Sequence, residues 1–85
     1  MRIWKYRLAL TDEQTLMLPK GAIVRHVGNQ DDALCIWAEV DPIAVCIERT
    51  FVIVGTGHPI PAMALKFLGM VMFLPFVWHV YEVQP

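Results

Sequence analysis

Apolar and polar residues alternate with a period of two at residues 3–10 and 34–40, and residues 22–27 predict a further short strand. This period places successive side chains on opposite faces of a β-strand. Residues 51–54 instead form a continuous run of aromatic and β-branched side chains, which predicts a strand covered on both faces. Residues 67–73 and 77–83 predict two further strands. No segment shows the longer apolar period of an amphipathic helix.

The spacing of these segments predicts the fold class. Glycine, asparagine and aspartate in residues 28–32 favour a hairpin turn. Pro42 ends the strand predicted at residues 34–40. We therefore expect a single all-β domain over residues 1–85, an antiparallel meander of about six short strands folded into a small sandwich or open barrel. Residues 61–66 allow at most one helical turn. Residues 43–47 are predicted to form an exposed apolar connection.

The composition predicts an apolar surface in addition to a core. Hydrophobic residues make up 56% of the chain and charged residues 18%, whereas soluble domains usually contain about 45–50% and 25%. A chain of this length buries only about 60–65% of its unfolded surface. We expect a homo-oligomer whose interface draws on flexible methionines and other apolar side chains. The candidate interface residues are Ile43, Val45, Ile47, Met63, Met70, Met72, Phe73 and Phe76.

Charge and hydropathy patterns narrow the partners and the compartment. No apolar run reaches the ~20 residues that span a bilayer, and Arg2 and Lys5 interrupt what would be the apolar part of a signal peptide. We therefore expect a cytoplasmic protein without a membrane partner. A net charge of −1 argues against nucleic acid as the main partner. Cys35 and Cys46, on separate segments, are expected to be reduced thiols.

The loop at residues 55–61, Gly-Thr-Gly-His-Pro-Ile-Pro, is the candidate ligand site. Backbone N–H groups in a glycine-containing turn can converge on an anion, and Thr56, Gly57 and His58 are the candidate contacts. Arg49, at the start of the central strand, is the fourth, since its guanidinium suits a carboxylate or phosphate. The alternatives are a tight corner at the loop and a surface ion pair between Arg49 and Glu48.

Other chemistry has weaker support in the sequence. His26, His58 and His79 match no metal-ligand spacing, and the chain contains no serine that could act as a nucleophile. We expect no metal, no cofactor and no enzymatic activity. The aromatic residues either fill the core or line a pocket on which a base stacks. They are Trp4, Tyr6, Trp37, Phe51, Trp78 and Tyr81.

Six short blocks give the chain a family resemblance. They are Ile3-Trp4-Lys5-Tyr6, Leu18-Pro19-Lys20-Gly21-Ala22, Trp37-Ala38 with Val40-Asp41-Pro42, Glu48-Arg49-Thr50-Phe51, Gly55-Thr56-Gly57-His58-Pro59-Ile60-Pro61 and Val77-Trp78-His79-Val80-Tyr81-Glu82. Together they resemble a family of small uncharacterised proteins encoded by bacteriophages and prophages. The resemblance implies phage origin and action in the cytoplasm of an infected bacterium, without implying an activity.

Loop chemistry and the phage setting together suggest a function. We expect a non-enzymatic binding protein, an accessory or counter-defence factor that binds a host protein or a small anionic ligand. The alternative is a structural or assembly component of the phage particle, whose apolar surface packs against another phage protein.

Overall fold

The computed structural model describes all residues, 1–85, and consists of seven β-strands without a helix. The strands are β1 (Arg2–Leu8), β2 (Glu13–Pro19), β3 (Ile23–Gln30), β4 (Ala33–Val40), β5 (Cys46–Gly55), β6 (Leu65–Phe73) and β7 (Phe76–Val83). No helix is present that is long and apolar enough to cross a membrane.

The strands form two antiparallel sheets that pack face to face as a small sandwich. Sheet A has the order β1-β4-β3, and sheet B has the order β2-β5-β7-β6. The predicted all-β class and antiparallel pairing are confirmed, and the barrel does not close. Hairpins β3–β4 and β6–β7 join neighbours in the chain, as the turn residues predict. The remaining order differs from a simple meander because β1 pairs with β4 and β2 pairs with β5.

Two segments differ from the sequence predictions. Residues 13–19 form edge strand β2, in which Pro19 is the last residue, whereas the sequence suggests a turn at residues 11–14 and only a short apolar piece at residues 16–18. Proline is tolerated there because an edge strand leaves one side of its backbone unpaired. Strand β5 begins at Cys46, so Ile47 pairs with Leu18 instead of lying in a free connection. Residues 61–64 contain no helical turn.

The core lies between the sheets and centres on β4 and β5. Ile36 of β4, Phe51 of β5 and Val80 of β7 are fully buried in it. Val52 and Val54 point away from this core and are nevertheless buried. They are covered by the segment after β5, in which Pro59 and Pro61 line a pocket together with both valines. The prediction of a central strand covered on both faces is therefore confirmed.

Sheets A and B approach each other closely along the edges formed by β3 and β6. A Cβ atom at Gly69 would lie only 3.1 Å from the Cβ of Val27, so glycine permits the two strands to approach. The side-chain amide of Asn29 donates a hydrogen bond to the carbonyl of Met72 at 3.2 Å. Gly69 also follows an irregularity in the β6–β7 register, which fixes which β6 side chains face outward.

Tyr6 of β1 packs against the core and supports a titration prediction. Burial raises the pKa of Tyr6 above its ordinary value of 10.0, and the charge of a Cys46 thiolate acts in the same direction. The unfolded chain therefore releases this phenol proton first, and the contribution of Tyr6 to stability falls as the pH rises above 10. We expect absorbance at 295 nm to show one tyrosine titrating late, and Tyr6→Phe to remove that late component. Loss of the late component in Tyr81→Phe instead would contradict the assignment.

Candidate functional site

The loop after β5 is a tight turn whose backbone donors are largely occupied. The N–H of Thr56 donates to the carbonyl of Val77 at 3.2 Å, and the N–H of His58 donates to the carbonyl of Gly55 at 3.0 Å. Gly57 has a φ of 88°, a conformation that favours glycine. Since two of the three consecutive N–H groups are used internally, the turn does not present the convergent donors of an anion-binding nest.

His58 folds back against the start of its own turn. A Cβ atom at Gly55 would lie 3.1 Å from His58 Nδ1 and 3.2 Å from the ring of Trp78, so glycine at this position lets both rings approach the backbone. His58 also lines a pocket of about 300 Å³ with Asp12, Pro59 and Pro61. The geometry agrees with the corner alternative for this loop, and Thr56 and His58 remain exposed at its surface.

Arg49 lies in an ion pair inside one end of the sandwich. Its Nη2 donates to Glu82 Oε1 at 2.8 Å, its Nε donates to Glu82 Oε2, and its Nη1 donates to the carbonyl of Ala22. The Arg49 and Glu82 side chains are 17% and 11% exposed. The hydrogen bonds to Glu82 raise the pKa of Arg49, with desolvation acting in the opposite direction. The partner is thus Glu82 rather than the predicted Glu48, and the pair is not a surface pair.

The four predicted ligand contacts do not form one site. Arg49 and the Thr56–His58 turn lie near opposite ends of β5, and at ~3.3 Å per residue about 20 Å of strand separates them. A pocket of about 490 Å³ lies at the Arg49 end and is lined also by Lys66 and Gln84. Because the guanidinium of Arg49 already has internal partners at three nitrogens, it is not available as a bidentate anion clamp.

The predicted interface residues fall into four places. Ile43, Val45 and Ile47 lie in or beside the β4–β5 connection, and Ile43 is 92% exposed. Phe73 and Phe76 face each other at the end of the β6–β7 hairpin, and Met63 lies in the loop before β6. Met70 and Met72 alone share the outer face of sheet B.

The outer face of sheet B carries an apolar patch on β6. Phe67, Met70 and Met72 alternate with core-facing Val71 and are 53%, 47% and 58% exposed. Phe67 contacts Tyr81 of β7 in an edge-to-face arrangement with ring centroids 5.3 Å apart. We call Phe67, Met70 and Met72 the methionine patch. Both methionines are among the predicted interface residues, whereas Phe67 is not. Counting back from Met72 in steps of two does not reach Phe67, because the strand is irregular between Phe67 and Gly69.

The three histidines lie apart, and no group of three metal-binding side chains is present. His79 Nδ1 lies 3.0 Å from the carbonyl of Val54, so this ring contacts the backbone of the neighbouring strand β5. His26 lies against Trp37 on the outer face of sheet A, with ring centroids 5.6 Å apart. Trp37 therefore lies outside the core. Cys35 is buried, Cys46 is exposed, and both are free thiols.

Comparison with known proteins gives a family and no named relative. No curated protein and no solved structure matches the chain significantly. The profile of one family, described as a domain of unknown function (DUF7352), matches residues 1–85. Since the match covers the whole sandwich, from β1 to the last residue after β7, the chain belongs to the DUF7352 family.

Proposed function

We propose that this protein is a non-enzymatic binding protein of phage origin that works as a homodimer in the cytoplasm of the infected bacterium. It acts there as an accessory or counter-defence factor by binding a host protein. The sequence resemblance supports the phage setting. The methionine patch supports the dimer, because exposed methionine and aromatic side chains are enriched in protein interfaces.

A second copy of the chain is the occupant that best fits the methionine patch. A standard stable interface buries about 800 Å² on each partner, which is about one seventh of the 5546 Å² surface of this protein. The molecule is flat, with extents of 39 × 31 × 16 Å, so a broad sheet face offers this area. Two such faces related by a two-fold axis bring the patch of one copy onto the patch of the other.

Charged substitutions in the patch test the dimer. We expect light scattering to give the mass of a dimer for the wild-type protein at about 100 µM and the mass of a monomer for Met70→Glu/Met72→Glu, because like charges would face each other without water. Ile3→Glu is the matched control, since Ile3 has similar exposure, 56%, on sheet A. A monomeric wild-type protein, or a dimer that persists in the double variant, would contradict this interface.

Fractionation of infected cells distinguishes the accessory role from the structural alternative. An accessory factor stays in the cleared lysate when phage particles are sedimented, whereas a virion or assembly component sediments with them. We expect the protein in the lysate fraction. Recovery of this protein in stoichiometric amounts with purified phage particles would contradict the accessory role and support the structural one. It would not affect the measurement of the dimer.

A further inference from the structure

The outer face of sheet A combines an aromatic centre with basic edges. Lys5 of β1, Trp37 of β4 and His26 of β3 are directly paired across the three strands. Gly28 lies beside the two rings, and a Cβ atom there would be 3.0 Å from His26 Nε2 and 3.4 Å from the Trp37 ring. Glycine thus leaves room for both rings to lie over β3. We call this the Trp37 face.

The Trp37 face concentrates positive charge that the net charge of the chain conceals. Lys5, Arg7 and Arg25 are exposed on it, and Glu39 is the carboxylate paired to Arg25 at 3.1 Å. Lys5 crosses β4 to reach the side-chain oxygen of Gln30 at 2.7 Å, a neutral partner that leaves its charge uncompensated. Asp31 and Asp32 lie in the β3–β4 turn at one end of this face, where Asp32 lines a pocket with Arg7. The other acidic residues lie elsewhere, in turns, on sheet B or at the sandwich ends, and they are Asp12, Glu13, Asp41, Glu48 and Glu82.

We propose that the Trp37 face binds single-stranded nucleic acid, with a base stacked on Trp37 and phosphates contacting Lys5, Arg7 and Arg25. Proteins that bind single strands without sequence preference combine a basic surface with aromatic side chains on which bases stack. The two edge strands lie about 10 Å apart, twice the ~4.8 Å strand spacing. A nucleic-acid strand that crosses the sheet therefore meets cationic side chains on both sides of the Trp37 indole.

This activity is separate from the proposed dimer. The Trp37 face and the methionine patch lie on opposite outer faces of a sandwich that is 16 Å thick, so one can be changed without contacting the other. Single strands fit this face better than duplex DNA, because a stacking residue needs an unpaired base. The net charge of −1 averages over the whole chain, whereas a bound single strand meets only the local charge of the Trp37 face.

Fluorescence anisotropy with a fluorescein-labelled 12-nucleotide oligothymidylate tests the proposal, with the full chain in 50 mM salt. We expect binding by the wild-type protein, with a log–log salt slope of about −2 for three phosphate contacts at ~0.7 each. Lys5→Gln/Arg7→Gln should weaken binding at least tenfold. Trp37→Leu should weaken it about 5- to 150-fold, the range for loss of one stacked base.

The matched control is Lys20→Gln/Lys66→Gln, which lowers the net charge by the same two units as Lys5→Gln/Arg7→Gln. Both lysines are exposed and lie away from the Trp37 face, so this variant should bind the oligonucleotide within about twofold of wild type. Circular dichroism melting checks that every variant is folded. Absence of binding by the wild-type protein would overturn the proposal, as would equal losses in the two double variants. Inorganic polyphosphate that competes as well as the oligonucleotide would show that stacking contributes nothing, and would also overturn it.

Discussion

Replacing Arg49 by alanine should destabilise the protein by about 2–4 kcal/mol. Removal of one partner leaves a buried carboxylate without its counter-charge, a change that costs about 3–5 kcal/mol in fully buried pairs. The Arg49 and Glu82 side chains keep some exposure, 17% and 11%, which lowers the expected value. The variant also leaves the carbonyl of Ala22 without its side-chain donor. Urea denaturation followed by tryptophan fluorescence measures the difference in the free energy of unfolding.

Two further variants separate the buried pair from a general effect of losing an arginine. Arg25→Ala removes an exposed pair with Glu39, whose side chains are 55% and 35% exposed, and should change stability by under about 1 kcal/mol. Arg49→Met/Glu82→Leu should recover most of the loss, because apolar side chains of similar volume replace both buried charges. Equal losses in Arg49→Ala and Arg25→Ala would show that burial of the pair contributes nothing.

The sequence could predict the strands and turns that depend on residues close together in the chain. Alternation in β1 and β4, the apolar run at residues 51–54 and the turn residues before β4 are local signals, and each corresponds to an observed element. Asp31 and Asp32 both have positive φ angles, 52° and 59°, as a two-residue hairpin turn requires. Strand β2 escaped prediction because three apolar residues before a proline are too short a pattern to distinguish from a loop.

The sequence could not predict features that depend on distant pairing. Arg49 and Glu82 are 33 residues apart in the chain and meet because β5 and β7 pair in a register that places both on the inner face. That contact turns a candidate ligand residue into a structural one. The length of β5 then separates Arg49 from the Thr56–His58 turn. The Trp37 face likewise depends on β1 and β3 flanking β4, which alternation alone does not specify.

The two outer faces of the sandwich differ in chemistry, and each suits a different partner. Sheet B exposes the methionine patch, which suits a second apolar surface. Sheet A places the half-buried Trp37 among lysine and arginine side chains, which suits an anionic partner with unpaired bases. A dimer formed through sheet B would leave two copies of the Trp37 face pointing outward. Linked sites of this kind raise the overall avidity for a long single strand beyond that of one face.

Phe51→Ala should have the largest effect on stability, a loss of about 3–5 kcal/mol. Phe51 is completely buried, and alanine would leave a cavity between the sheets where the core is closely packed. An 85-residue domain has a stability of roughly 4–13 kcal/mol, so this loss is a large fraction of the free energy of unfolding.

Phe67→Ala is the matched control for Phe51→Ala, because it makes the same chemical change at a side chain that is 53% exposed in the methionine patch. We expect Phe67→Ala to alter the free energy of unfolding, measured on the monomeric Met70→Glu/Met72→Glu background, by under about 1 kcal/mol. On the wild-type background the same substitution should weaken the dimer measurably, since aromatic side chains contribute strongly to interfaces. Similar stability losses for Phe51→Ala and Phe67→Ala would place Phe67 in the core, and the methionine patch would then lose its aromatic member. A large loss of stability in Phe51→Ala together with a weakened dimer in Phe67→Ala would instead show that Phe51 holds the sandwich together and that Phe67 joins one copy to the next.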